Sequence, residues 1–154
     1  MDFSTFSERA HVAVVANAAR FAERLGHDLI GIDDLFLGLL VPAEKEYVST
    51  LERIIVVHFG VSRLAFYTAV ESITVRSIDS VEAGELYTPS AKQALLDAPI
   101  KARQEGHEGL ITRTDVMLAV LDSKDAVLKQ IFAKTGIDLE QLKLVLTDKS
   151  PVLQ

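Results

Sequence analysis

Phe6-Ser7-Glu8-Arg9-Ala10 is answered 81 residues later by Tyr87-Thr88-Pro89-Ser90-Ala91: an aromatic, a hydroxyl residue, two further residues and Ala. Outward from this pair, Leu25-Gly26-His27 stands against Glu105-Gly106-His107 at an offset of 80, and Leu37-Gly38-Leu39-Leu40 against Leu118-Ala119-Val120-Leu121 at 81. Gly60-Val61-Ser62-Arg63-Leu64 then matches Gly136-Ile137-Asp138-Leu139-Glu140 at 76, after a loop shortened by about five residues. Four anchors in one order at nearly constant spacing mark a tandem repeat.

Each copy reads as four helices, which makes the expected fold all-α, two four-helix units. In the first, Ser7 is placed to cap a helix whose apolar stripe runs through Ala10, Val14, Ala18, Phe21 and Leu25 and ends at Gly26. Further helices are expected over about Asp33–Leu40, about Tyr47–Phe59 with a stop at Gly60, and from Ser62 to about Ile73. The second copy starts at Thr88 with Pro89 at the first helical position, where its missing N–H costs nothing. Pro99 should then kink or divide that helix, because it cannot bond the Leu95 carbonyl. The remaining helices are expected over about Thr114–Leu121, Asp125–Lys134 and Leu139–Leu146. On this reading one domain spans 1–154, with repeat one over about 3–73, a link over 74–86 and repeat two over about 87–147. The link is rich enough in Val, Ile and Thr for a little extended structure, but not for a sheet.

Composition narrows the function. The 154 residues carry no Cys, which removes disulfides, thiolate zinc sites and cysteine nucleophiles together. No secretory apolar segment opens the chain, and no apolar run approaches the roughly 18–20 residues of a membrane span, so a cytoplasmic protein without a membrane role is expected. Residues 1–100 hold 8 basic and 14 acidic side chains and residues 101–154 hold 8 of each, so the whole net charge of −6 lies in the first part. A surface of that sign repels phosphate backbones, which argues against nucleic-acid partners.

The doubled order of Phe-Ser-Glu-Arg-Ala, Leu-Gly-His, Leu-Gly-Leu-Leu and Gly-Val-Ser, then Tyr-Thr-Pro-Ser-Ala-Lys, Gly-His, Leu-Ala-Val-Leu and Gly-Ile-Asp-Leu, resembles the N-terminal domain of Clp ATPases over about residues 3–147. The resemblance implies a pseudo-twofold pair of four-helix repeats that receives substrates, degradation tags or adaptors ahead of an AAA+ ring. No Gly-x-x-x-x-Gly-Lys-Ser/Thr motif is present to cradle nucleotide phosphates, so the chain reads as the receiving module alone, stand-alone or excised.

Two sites are implied by the resemblance. In several members the repeat starts hold phosphorylated arginine, with a Glu on the guanidinium and a hydroxyl and a basic residue on the phosphate. Matching positions here are Ser7, His11 and Asp33 in the first copy and Thr88, Lys92 and Thr114 in the second, so Asp33 and Thr114 stand where Glu is expected. A neutral hydroxyl cannot grip guanidinium with charge assistance. Asp33 and Asp34 are equally read as first-turn acids favoured by a helix dipole. The second site is an apolar pocket shared by the two first helices, where peptides and peptide-like antibiotics dock in some members. Its matching residues are Phe3, Val14, Val15, Tyr87 and Lys92, with Val14 as plain core and Tyr87 as a hydrophobic staple the alternative.

The four His show no His-x-x-x-His spacing, so no metal is expected, and no cofactor. His27 and His107 follow helix-ending glycines and suit the dipole there, whereas His58 sits in an apolar run and reads as a core histidine. The stripes Leu51–His58 and Val116–Leu121 read as core by default, with partner docking as the alternative. No Gly-x-Ser-x-Gly elbow is present and enzymatic activity is not expected. The expected function is a protein- or peptide-binding adaptor, substrate receptor or regulator of a Clp AAA+ unfoldase–protease, whose partners are that ATPase, its clients or its adaptors. The alternatives are a decoy that sequesters a peptide-like small molecule aimed at the Clp machine, and the N-domain of a complete Clp ATPase.

Overall fold

A computed structural model describes residues 1–73 and 84–149; most of the expected link over 74–86 therefore lies outside the described residues. The described chain is helical, with two isolated β-bridges. Helix α1 runs as Glu8–Val12, a π turn over Ala13–Asn17, and Ala18–Leu25; α2 is Ile32–Leu40, α3 Thr50–Phe59 and α4 Arg63–Glu71. The second copy repeats the order as α5 Pro89–Gln104, α6 Arg113–Leu121, α7 Ala126–Thr135 and α8 Leu139–Lys149.

Local chemistry sets these ends. The Ser7 and Thr88 side chains accept the Ala10 and Ala91 N–H at 3.1 and 3.3 Å, so the two first helices start alike. Gly26 and Gly60 close α1 and α3 in the left-handed conformation, at φ 76° and 69°. Helix α3 begins three residues later than Tyr47. Ser49 is buried, its hydroxyl donating to the Leu40 carbonyl at 2.7 Å and accepting the Glu52 N–H at 3.1 Å, and this fixes the cap there.

Three further expectations are corrected. The first helix is not uniform, because the π turn re-routes the Ala18 N–H to the Ala13 carbonyl. This turn lies where α2 comes closest: a Cβ on Gly38 would stand 2.6 Å from the Ala13 oxygen and 2.9 Å from the Ala18 nitrogen. Conversely, Pro99 does not divide α5. It costs one rung, while Ala94, Leu95, Ala98 and Ala102 bury the helix face around it. His58 is not a core histidine either. On α3 only Leu51, Ile54 and Ile55 of the apolar stripe are buried, while Val57 is 74% exposed and His58 is exposed with it.

The centre is built from α2 and α6, in which every residue is buried and which pack against each other across the repeats. Phe36 of α2 stands edge-on to Phe66 of α4 at 4.9 Å and to Phe132 of α7 at 5.7 Å, so one ring joins both copies. The lead-ins to the two first helices are exchanged. Ser7 N–H donates to the Ile111 carbonyl and Ile111 N–H to Thr5, while Thr88 N–H donates to Ile30 and Ile30 N–H to Leu86, all at 2.8–2.9 Å. Shifting either set by 81 positions produces the other.

Candidate functional site

The π turn and the proline occupy the same register, since Ala18 and Pro99 are 81 apart, as are Val14 and Leu95. Both irregularities withdraw an ordinary helical N–H from the carbonyl four residues back. In the first copy that carbonyl, Val14, accepts the Tyr87 hydroxyl at 2.9 Å. Burial pushes the Tyr87 phenol above its usual range, so it stays a donor at neutral pH. Phe6, the counterpart of Tyr87, has no hydroxyl to offer Leu95. Thus Val14 and Tyr87 meet, as a buried floor rather than as open walls.

The other residues expected to line a pocket differ in exposure. Val15 is 38% exposed on α1, and its counterpart Leu96 is 48% exposed on α5 beside the exposed Ile100. Leu96 and Ile100 are exposed candidates that sequence reasoning missed; the offset of 81 applied to Val15 was the available signal for Leu96. Phe3 is half-buried, with its ring 5.2 Å from Phe6 and 5.3 Å from His11. Lys92 donates to Glu85 at 2.8 Å, so its charge is shared with an acid.

The exchange also re-pairs the second set. Thr88, not Ser7, lies beside Asp33: Asp33 Oδ1 and Thr88 Cγ2 sit 2.8 and 3.8 Å from where a Gly31 Cβ would be. Ser7 is bonded next to Thr112 at the head of the helix carrying Thr114. Both hydroxyls serve as caps, Asp33 is buried and bonded to the Asp34 N–H at 3.0 Å, and Thr114 is fully buried. His11 is exposed.

His27 and His107 do more than complement helix ends. His27 Nδ1 lies 2.9 Å from Asp34 Oδ2, and His107 Nδ1 lies 2.8 Å from Asp115 Oδ2. Those two acids accept the Gly31 and Thr112 N–H, each at 2.9 Å, and so start α2 and α6. Burial raises the Asp34 carboxyl above the usual carboxylate range, opposed by its bond to His27. Donor atoms of His27, Asp33 and Asp34 lie within 4.8 Å of one another. Their carboxylates already hold backbone amides, and the second copy keeps its His–Asp pair with Thr114 in the third place, so the cluster's observed work is capping.

These features define a class: an all-helical domain made of two interlocked four-helix repeats. No protein-family model matches the chain. It is 27% identical over 141 residues to the "ATP-dependent Clp protease ATP-binding subunit ClpA homolog" of Guillardia theta, covering 92% of this chain and 16% of that protein. It is 28% identical over 143 residues to the "Negative regulator of genetic competence ClpC/MecB" of Bacillus subtilis, covering 93% and 17%. The chain thus spans about one-sixth of the length of these curated relatives. Among solved structures, the N-terminal domain of the caseinolytic protease associated chaperone ClpD from Arabidopsis thaliana superposes with a TM-score of 0.74 at 19% identity, over 98% of this chain and 97% of that one. The Hsp104 N-terminal domain from Candida albicans gives 0.69 at 17%, over 96% and 92%. The chain therefore has the fold of Clp and Hsp104 N-terminal domains and is similar in sequence to the matching region of Clp ATPase subunits. Among the described residues no single helix is long and apolar enough to cross a membrane.

Proposed function

We propose that this chain is a non-enzymatic receiving domain of a Clp-type chaperone system, binding client proteins, peptides or adaptors for an AAA+ ATPase, whether in cis as its N-domain or in trans as an adaptor or regulator. The similarity to Clp subunits over nine-tenths of this chain supports the system. The single observation that carries the binding role is the pair Val15 and Leu96, exposed aliphatics at equivalent places on the two first helices. Apolar side chains held out on rigid helices suit an extended peptide, and Lys92 and Glu85 offer polar contacts at its edge.

The test is retention of a Clp ATPase or of unfolded client peptides on the immobilised chain. Capture that weakens about tenfold in a Val15→Ser/Leu96→Ser variant of unchanged helicity supports the reading. Equal capture by the variant refutes the site. Tight binding of a peptide-like macrocycle without any association with an ATPase would favour sequestration instead.

A further inference from the structure

The groove between α1 and α4 carries the opposite sign to the repeat that contains it. It encloses about 570 Å3, within the roughly 300–1,000 Å3 of ligand clefts. Arg20 and Arg24 line it from α1 and Arg63 from α4, while Phe21 and Tyr67 face each other across it with ring centroids 5.9 Å apart. Three of the eight basic residues among positions 1–100 therefore converge on one cleft, in a stretch that holds fourteen acids. Arg24 lies 5.8 Å over the Phe21 ring, and Glu52, the one acid on the lining, stands 3.9 Å from Arg63 Nε in a loose pair, which leaves the cleft with an excess of two positive charges. Arg20 is exposed, with no ion pair to any described residue, and Leu64 at the rim is 72% exposed.

Three guanidiniums around an aromatic floor repel one another, and a carboxylate between them relieves that repulsion while accepting forked hydrogen bonds. The rings and Leu64 add a surface for one apolar side chain. A polypeptide is favoured over a polyphosphate because it can set an apolar side chain on Phe21, Tyr67 and Leu64 beside its carboxylates, which a polyphosphate cannot. We propose that the α1–α4 groove binds an acidic, extended segment of a partner protein, its carboxylates on Arg20, Arg24 and Arg63 and an apolar side chain on Phe21 and Tyr67. This surface is separate from Val15, Leu96 and Tyr87, so the chain has a second docking place beside the one proposed for clients.

The probe is a fluorescein-labelled twelve-residue peptide of alternating Glu and Ser around one central Leu, titrated with the full chain by anisotropy. Saturable binding is expected, weakened about tenfold in an Arg20→Gln/Arg24→Gln variant of unchanged circular dichroism and by a comparable factor between about 50 and about 300 mM NaCl. An Arg63→Gln variant should lose affinity independently, and amide-nitrogen NMR shifts should centre on Tyr67 and Leu64. The proposal is overturned by equal affinity for the variants or for a peptide with Gln in place of Glu. It is equally overturned by no saturable binding at about 1 mM, by shifts centred on Val15 and Leu96, or by an RNA oligomer binding as tightly as the peptide.

Discussion

The Arg113 guanidinium, 1% exposed at the first residue of α6, donates to both oxygens of Glu46 at 2.9 and 3.0 Å, joining the second repeat to the α2–α3 loop of the first. Glu46 also accepts from Arg9 at 3.2 Å and from the Ala43 N–H at 2.8 Å. A buried cation at a helix N-terminus opposes the dipole, and the forked carboxylate makes it tolerable. The pair therefore acts as a clamp between the copies.

Replacing Glu46 by Ala takes the carboxylate away from a buried guanidinium and should destabilise the domain by about 3–5 kcal/mol, read by thermal or urea unfolding. Arg9→Ala, which removes a 41%-exposed partner, should cost less than about 1 kcal/mol.

The same clamp sets an acid limit. The Arg113 bond holds the Glu46 carboxyl below its ordinary value of 4.5, so protons bind more readily to the unfolded chain. The stabilisation is then complete above about pH 4.5 and is lost as pH falls through the lower folded value. Urea midpoints measured from pH 7 to pH 3 should fall more steeply at the acid end for the parent chain than for Glu46→Gln, and identical profiles would disprove the link.

Tyr87→Phe removes the hydroxyl from the Val14 carbonyl but keeps the ring, and should cost about 1–3 kcal/mol of stability because a buried acceptor loses its partner. Peptide capture should be unchanged in that variant at a temperature where it is folded, since the floor keeps its shape.

Gly38→Ala should destabilise by about 1–3 kcal/mol through overpacking, because the new methyl meets backbone of the α1 π turn rather than a movable side chain. Its counterpart Ala119 already carries that methyl and is buried, so Ala119→Gly should cost only about 1 kcal/mol of helix propensity. Calorimetry of the two variants distinguishes the local fit.

The helical class, the doubling and most helix starts were legible in the chain because they are written locally. Hydroxyl caps at Ser7 and Thr88, stops at Gly26, Gly60 and Gly136 and the offset of 81 each need only neighbouring residues or a comparison of the sequence with itself. That legibility stopped wherever two distant segments had to meet. Ala13–Asn17 reads as ordinary helix, and its π turn coincides with the close approach of Gly38. His58 reads as core and faces solvent, because the burial of an apolar run depends on which face the partner helix covers. The bonds of Ser7 to Ile111 and Thr88 to Ile30 exchange the site residues between copies, and Arg113 finds Glu46 across 67 positions. Sequence alone determined what each segment becomes, since backbone hydrogen bonds in helices close over four residues. Only the tertiary structure decided which carbonyl Tyr87 answers and which three arginines share a groove, since long-range packing follows from close fit in space rather than from order along the chain.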